Sequence, residues 1–300
     1  MLTPFDASLD ADLPRWIAHC RSLLDEGCSG LAIFGTTSEA NSLSVDERER
    51  MLGGLLEAGV DPLRLLPGTG CAALPDTVRL TRRSVQAGCA GVLVLPPFFY
   101  KNVSEEALFR SYAAVIDGVS DPRLRVFLYH IPQLSAVPIS LRVIERLRAA
   151  YPRNVVGMKD SSGEWNNTRC VLEAAPGFQV FVGSERFLLQ NLRTGGVGCI
   201  TATANVNARA IDQLYRRWRS PEAQSLQDAL DEVRAIFDQL PIIPALKAAL
   251  AHARNDPAWV ALRPPLLPLD SAQEVKLLAA LQANGWLTQA AARSVASTPG

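Results

Sequence analysis

The chain has no excess of either charge, because thirty lysine and arginine residues balance thirty aspartate and glutamate residues. Proteins that hold nucleic acid or a membrane surface by charge carry a basic surplus or a basic cluster. The composition therefore gives no support for either partner. We expect neither nucleic acid nor a membrane to bind this protein.

Long apolar runs are also missing. The longest, such as residues 92–99, fall far short of the roughly 18 residues that cross a bilayer. The opening residues show neither the basic start nor the apolar centre of a signal peptide. These features predict a cytoplasmic protein.

Close pairs of cysteine are absent as well. The six cysteines are scattered, so neither a CxxC metal knuckle nor a disulfide framework is indicated, and we expect reduced thiols. The three histidines form no HExxH motif, and no paired carboxylates accompany them. The sequence therefore predicts no metal site.

Short apolar runs recur at a regular interval along the first two thirds of the chain. Each is rich in Val, Ile, Leu or Phe and is followed by Gly, Pro, Ser or Thr, which is typical of buried parallel strands. An eighth run at residues 1–5 resembles the end of a strand whose beginning is truncated. The other seven predicted strands are residues 30–34, 64–67, 91–95, 125–129, 155–158, 179–182 and 198–200.

Amphipathic helical patterns separate these runs. Eight strand–helix units in succession favour a closed (β/α)₈ TIM barrel over an open sheet, and no GxGxxG motif follows the first strand. The predicted helices are residues 13–26, 45–57, 76–86, 105–117, 139–150, 166–174, 184–193 and 207–219.

The pattern changes to helices alone after residue 220. Helices are predicted at residues 222–240, 243–253 and 272–284, with a proline-rich connection at 263–268 and a short polar stretch at 290–300. The sequence thus predicts two regions, a barrel at residues 1–220 and a C-terminal helical region at residues 221–300.

Lysine is rare, and its rarity draws attention to one position. Only four of the thirty basic residues are lysine, and only Lys159 directly follows a predicted strand. Side chains at strand ends carry the chemistry of such barrels. An amine desolvated at an apolar barrel mouth can attack a carbonyl, so Lys159 is the candidate for a Schiff base with a carbonyl compound. The alternative is a lysine that extends to the rim or pairs with Asp160.

Other strand ends supply possible partners for this amine. The Tyr129 phenol can pass protons while an imine forms, or it is a core residue with a hydrated hydroxyl. Thr36 and Thr37 offer hydroxyl and backbone N–H groups to a carboxylate, or they cap a helix. His130 is either an acid or base at the mouth or a hydrogen-bonded structural residue.

Six motifs together resemble the dihydrodipicolinate synthase and N-acetylneuraminate lyase superfamily. The resemblance follows the order and spacing of these motifs along nearly the whole chain, and its most specific elements are YHIP and GMKDSSG. The motifs are GTTSE (35–39), PGTG (67–70), PPFF (96–99), YHIP (129–132), GMKDSSG (157–163) and GCITATANVN (198–207).

The resemblance implies a (β/α)₈ barrel with a C-terminal helical region, assembled as a tetramer of two tight dimers. By position, Lys159 matches the Schiff-base lysine and Tyr129 the proton-shuttling tyrosine, while Thr36 and Thr37 match the pair that holds the substrate carboxylate. No cofactor and no metal are implied. The residues expected to line the pocket are Ile200, Phe99, Leu134, His130 and Ser161.

Two departures bear on the substrate. In the synthase that condenses pyruvate with aspartate semialdehyde, an arginine binds the carboxylate of the aldehyde, whereas Leu134 stands at that position here. The synthase also borrows a tyrosine from the neighbouring subunit, whereas Phe99 stands here, so that relay is absent or supplied by Tyr100. Both differences count against the synthase's own reaction.

The predicted function is a Schiff-base lyase or aldolase. The stretch IPQLSAV is similar to sialic acid lyases, and PPFFYKN is similar to enzymes of 2-keto-3-deoxy sugar acids and 4-hydroxy-2-oxo acids. The expected partners are therefore a small 2-oxo acid, such as pyruvate, and an aldehyde. The alternatives are 4-hydroxy-tetrahydrodipicolinate synthase, a dehydratase or deaminase using the same imine, and a barrel that binds a 2-oxo acid without catalysis.

Overall fold

The computed structural model describes residues 1–288. Contacts divide the chain into two units, one of Met1 with Ser29–Thr201 and the other of Leu2–Cys28 with the residues from Ala202 on. This division differs from the predicted boundary after residue 220, which stays a prediction. The polar stretch at 290–300 lies outside the described residues.

Most of the helices begin and end within a few residues of their predicted bounds. Helices α2 to α8 belong to the first unit, and α1 and α9 to α12 belong to the second. The helices are α1 (Leu13–Asp25), α2 (Val45–Glu57), α3 (Leu74–Gln86), α4 (Glu105–Val119), α5 (Pro132–Ser135), α6 (Leu141–Ala150), α7 (Trp165–Ala174), α8 (Leu188–Arg193), α9 (Ala204–Arg217), α10 (Ala223–Phe237), α11 (Ile242–Arg254) and α12 (Ser271–Ala283).

Three details of the helices differ from the prediction. The short helix α5 was not predicted, and the predicted helix 184–193 is a 3₁₀ turn, Glu185–Phe187, followed by α8. Helix α9 begins three residues before its predicted start and is kinked at Asn207, where φ is −135°. Short helices lack the length that makes a 3.6-residue period visible.

Five strands of the first unit form one parallel sheet in chain order. They are β1 (Val92–Val94), β2 (Val126–His130), β3 (Val155–Asp160), β4 (Gln179–Val182) and β5 (Gly198–Cys199). Four of the eight predicted strands, at 91–95, 125–129, 155–158 and 179–182, are thereby confirmed to within two residues, and 198–200 is confirmed in shortened form.

The remaining predicted strands are reduced to isolated bridges. Residues 30–34 and 64–67 share one parallel bridge, Leu31 with Leu65, and Gly68 forms a parallel bridge with Leu93 of β1. Residues 1–5 have one bridge, Phe5 antiparallel to Ala11. Prolines interrupt two of these runs, Pro4 and Pro67, and proline has no N–H to donate to a ladder. The prediction of a regular strand at each of these three runs is therefore wrong.

The sheet has two different faces. On one face, side chains of β1, β2 and β3 such as Val92, Leu128 and Met158 pack beneath the helices of the first unit. On the other, which we call the inner face, Leu93, Phe127, Tyr129 and Ile131 form a separate cluster, against which Ala32, Leu66, Leu95, Val156, Phe181 and Ile200 pack. Successive side chains of a strand point to opposite faces of the sheet, so neighbouring residues belong to different clusters.

The second unit has a core of its own. Buried side chains of α9 to α12 pack together with Leu2, and Trp259 and Phe237 are its largest members. Within residues 1–288, no helix combines the length and the apolar character that crossing a bilayer requires.

Candidate active site

An amine, a phenol and a hydroxyl meet on the inner face of the first unit. Lys159 of β3 lies opposite Tyr129 of β2, and its Nζ donates a hydrogen bond of 3.1 Å to the Tyr129 hydroxyl. The Thr36 hydroxyl lies 3.2 Å from the same phenol oxygen. The phenol is therefore shared between a nucleophilic group and a second hydroxyl, which is the arrangement that proton transfer at an amine requires.

An irregularity in β3 turns Lys159 toward the inner face. Val126 pairs with Val155, but the next residue, Phe127, pairs with Gly157, so Val156 is an extra residue in the ladder. Such a bulge reverses the alternation of the side chains that follow it. As a result Met158 lies under the helices, and Lys159 lies beside Tyr129.

The bulge in β3 requires a residue without a side chain at position 157, and Gly157 meets this requirement. A Cβ atom there would lie 2.4 Å from the Gln179 carbonyl oxygen and 2.6 Å from the Phe127 ring. Both distances are far below van der Waals contact, and the backbone carbonyl cannot move away cheaply. A side chain at position 157 would thus force β3 away from its neighbours.

The Tyr129 phenol is buried, with only 2% of the residue exposed. Burial raises the pKa of the phenol, but the charge of Lys159 and hydrogen bonding with Thr36, Lys159 and Ser161 lower it further than burial raises it. The pKa of Tyr129 therefore lies below its ordinary value. A phenol of this kind gives up and regains a proton more readily than an exposed tyrosine.

The Thr36 hydroxyl is placed by a tight turn. A 3₁₀ turn, Thr36–Ser38, follows Gly35, and the residues on either side, Phe34 and Glu39, have positive φ angles of 57° and 54°. Non-glycine residues adopt such angles rarely, and strained backbone of this kind is common at functional sites. Among the described residues, no hydrogen bond involves the Thr37 hydroxyl.

His130 and Asp160 lie on the opposite face from Lys159. The Asp160 carboxylate accepts hydrogen bonds from the Ser162 N–H at 2.9 Å, Asn167 Nδ2 at 2.8 Å and Thr168 Oγ1 at 2.7 Å. Lys159 forms no ion pair within residues 1–288. The structure therefore does not support the alternative in which Lys159 pairs with Asp160.

The His130 ring forms a hydrogen bond with the protein backbone. Its Nδ1 accepts a hydrogen bond of 3.1 Å from the Ile139 N–H, which can only donate. Burial lowers the pKa of His130, and the opposing charge of Asp160 does not restore it. The ring is thus neutral with its proton on Nε2, and the structure does not bring it to Lys159.

The other predicted pocket residues differ in how exposed they are. Ile200 packs against the inner-face cluster that contains Tyr129. Phe99 and Leu134 are 70% and 62% exposed, and no contact of either with Lys159 is found in the described chain. Lys101 Nζ donates to the carbonyl oxygens of Ser135, at 3.0 Å, and Phe98. It thereby connects the loop that carries Phe99 to helix α5, which carries Leu134.

Ser161 is the remaining predicted residue, and its loop is fastened at both ends. Its N–H donates to the His130 carbonyl oxygen at 2.8 Å, and its own carbonyl oxygen accepts from Gln133 Nε2 at 2.5 Å. The anchoring roles of Gln133 and Asp160 were not predicted from the sequence. An aspartate directly before Ser-Ser-Gly is a signal for the second, since aspartate often binds the N–H group two residues on.

A second lysine of the chain has contacts of a structural kind. Lys247 of α11, in the second unit, is fully buried, donates to the Ala261 carbonyl oxygen at 2.7 Å and lies 4.7 Å above the Phe5 ring. No group of three or more His, Cys, Asp or Glu side chains within residues 1–288 could hold a metal ion.

A family model for the "Dihydrodipicolinate synthetase family" matches residues 1–284. The chain belongs to this family. It is 36% identical over 286 residues to an uncharacterized DapA-like lyase of Chloroflexus aurantiacus, with 94% of each chain covered. The resemblance seen in the sequence is thus confirmed.

Solved structures of the family share the fold of this member. Dihydrodipicolinate synthase from Agrobacterium tumefaciens superimposes with a TM-score of 0.88 at 29% identity, covering 94% of this chain and 96% of that one. YagE, a prophage protein of the family from E. coli K12 in complex with pyruvate, gives 0.87 at 26% identity, covering 95% and 96%.

These matches confirm the predicted fold class and enzyme class. The family member is a (β/α)₈ TIM barrel with a C-terminal helical region, and it is a lyase.

Proposed function

We propose that this lyase forms a Schiff base between Lys159 and the C2 carbonyl of a 2-oxo acid, and then breaks or forms the C3–C4 bond. The 3.1 Å contact between Lys159 Nζ and the Tyr129 hydroxyl carries this proposal, because it joins a nucleophile to a proton donor on the inner face. A relative of similar fold, the E. coli prophage protein, was solved with pyruvate, which supports a 2-oxo acid as the ligand.

The proposed reaction proceeds with the side chains of this protein, the substrate and water, and it needs no cofactor. The unprotonated Lys159 amine adds to C2, and the resulting carbinolamine loses water when Tyr129 delivers a proton to the departing oxygen. The positively charged imine then accepts the electron pair of the C3–C4 bond while the C4 hydroxyl gives up its proton, so an aldehyde leaves and an enamine remains. Protonation at C3 and addition of water release pyruvate and restore the amine. Condensation runs through the same steps in reverse.

Thr36 and Thr37 are the proposed carboxylate site. The 3.2 Å separation of the Thr36 hydroxyl and the Tyr129 phenol supports this role, because a carboxylate held by Thr36 would lie near the carbon that Lys159 attacks. The Thr37 hydroxyl, on the same turn and half-buried, has the capacity to donate to the second carboxylate oxygen. Holding the acid in this way aligns its carbonyl with the amine.

The proposed substrate is a 2-keto-3-deoxy sugar acid or another 4-hydroxy-2-oxo acid. Leu134, which stands at the position of the synthase's carboxylate-binding arginine, is exposed on α5 and offers no charge to a second carboxylate. Gln133 beside it keeps its amide oxygen as an acceptor, since its Nε2 donates to Ser161. Neutral polar groups suit the hydroxyls of a sugar-derived aldehyde better than an anionic partner.

A substrate panel tests this proposal. We expect release of pyruvate and an aldehyde from at least one 2-keto-3-deoxy sugar acid, with far weaker condensation of pyruvate and aspartate semialdehyde. Products are identified by coupled pyruvate assay and mass spectrometry. Robust turnover of aspartate semialdehyde would instead show the synthase reaction, and a 2,5-dioxo product would show a dehydratase. Imine formation without turnover of any member of the panel would indicate a binding protein.

The proposed assembly is a homotetramer made of two dimers. The rings of Phe99 and Tyr100 are each 70% exposed and meet edge to face at 5.4 Å, and Leu134 is exposed on the short helix α5. Exposed apolar groups of this size mark interaction surfaces. We expect light scattering after size exclusion to give four times the mass of one chain. The mass of a single chain would contradict this.

The proposed location is the cytoplasm. All six cysteines are free, which fits a reducing compartment. Fractionation of source cells tests this, with recovery in an exported fraction as the contrary result.

A further inference from the structure

Ser161 lies two residues beyond Lys159, where β3 passes into its loop. The fixed positions of its N–H and carbonyl groups, described above, leave its side chain little freedom. Hydrogen bonds from the Ser161 N–H to His130 and from the Gly183 N–H to Asp160 continue the ladder past Asp160. Residues two apart in such an extended segment point to the same side, so the Ser161 side chain lies on the same side of β3 as Lys159. Hydrogen bonding from Ser161 is one of the contributions that lower the pKa of Tyr129.

Gly183, at the end of β4, provides the space that this serine occupies. A Cβ atom on Gly183 would lie 2.1 Å from Ser161 Oγ and 2.7 Å from Ser161 Cα. The φ angle of Gly183 is not in the left-handed region, so its backbone does not demand glycine. Glycine is required there because the neighbouring serine fills the place of a side chain.

Two groups of the same chain contact the phenol, the Lys159 amine at 3.1 Å and the Thr36 hydroxyl at 3.2 Å, and the Ser161 side chain lies on the same side of β3 as Lys159. Tyr100, the other hydroxyl near the mouth, is 70% exposed, and its ring contacts Phe99. Within the described chain it makes no contact with Tyr129. A single chain thus already supplies two hydroxyls through which the Tyr129 proton can be exchanged.

We propose that Ser161, seated against Gly183, is a positioning residue for the Tyr129 phenol, and that Thr36 and Ser161 complete the proton relay within one chain, without Tyr100. This inference rests on the proposed function, because the relay serves the imine at Lys159. Hydrogen bonds from both hydroxyls stabilise the phenolate, and they hold the phenol at the distance from the amine that proton transfer needs.

The test compares Ser161→Ala with Tyr100→Phe, each of which removes one hydroxyl and little else. We expect Ser161→Ala to lower kcat about tenfold, the scale of one lost hydrogen bond, with a smaller effect on KM. Because a hydrogen bond to the phenolate is lost, the alkaline limb of the kcat profile should move to higher pH. Tyr100→Phe should leave the alkaline limb of the profile at the pH of the wild type.

A third variant reaches the same serine from the other side. Gly183→Ala displaces Ser161 without removing its hydroxyl, and we expect the same direction of change in the pH profile. If Ser161→Ala leaves the pH profile unmoved, or if Tyr100→Phe shifts it instead, the proposal is wrong. If Gly183→Ala does not fold, the comparison of the two hydroxyl variants still decides.

Failure of this inference can be told apart from failure of the proposed function. Pyruvate and borohydride should trap an adduct on Lys159 in both wild-type protein and Ser161→Ala, since the serine does not form the imine. No adduct in the wild type contradicts the proposed function. An adduct in both proteins together with identical pH profiles contradicts only the role of Ser161.

Discussion

Lys159→Arg is expected to abolish turnover of the 2-oxo acid substrate, with kcat reduced by on the order of 10⁴-fold or more. Arginine keeps the positive charge and much of the length of lysine. Its guanidinium stays protonated and cannot attack a carbonyl. The substitution thus preserves the electrostatic influence on the Tyr129 phenol while it removes the only proposed nucleophile, and pyruvate release measures the loss.

Lys276→Arg is the matched control. Lys276 lies on α12 in the second unit and is exposed, so the same chemical change there should leave the rate and the melting temperature unchanged. A Lys159→Arg protein that melts like the wild type but has no activity supports a covalent role. An active Lys159→Arg protein would show that the reaction needs only a positive charge at this position.

Tyr129→Phe is expected to lower kcat by about 10²-fold to 10⁴-fold, the usual contribution of a positioned acid or base. The ring stays in the inner-face cluster, so packing against neighbours such as Phe127 is retained. What is lost is the hydroxyl that accepts from Lys159 and contacts Thr36. Single-turnover measurements should show imine formation slowed together with kcat.

A second buried tyrosine provides the control for this change. Tyr112 of α4 is 2% exposed, and its hydroxyl donates to the Val94 carbonyl oxygen at 3.2 Å, under the helices. Tyr112→Phe should cost about 1 kcal/mol of folding stability and leave kcat unchanged. If both variants lose similar stability and neither loses activity, the Tyr129 phenol has no part in the chemistry.

Several elements of the fold were predictable because their signals are local. Helix α2 occupies its predicted bounds, 45–57, since Ser44 and Glu47 form a reciprocal cap at its start. Strand β4 also occupies its predicted bounds, 179–182, as a short β-branched and aromatic run. The bridge between Leu31 and Leu65 was expected to be a pair of longer strands. An apolar run does not reveal where the hydrogen bonds of a ladder end.

The candidate site was only partly predictable for a related reason. Lys159 could be selected by its rarity and its place at a strand end, and the structure puts Tyr129 and Thr36 within reach of it. The bulge at Val156 was not predictable, although it decides that Lys159 and not Asp160 faces inward. His130 directly follows Tyr129 on β2, so its side chain points to the opposite face, toward the helices. Its position at a strand end did not indicate which face it would occupy.

Trapping the imine tests the central claim most directly. The full-length protein is incubated with pyruvate, reduced with borohydride, digested and mapped by mass spectrometry. The chain contains only four lysines, so Lys101, Lys247 and Lys276 serve as internal controls in the same digest. We predict one reduced pyruvate adduct, on Lys159, and none on the other three. An adduct on another lysine, or no adduct at all, would contradict the account.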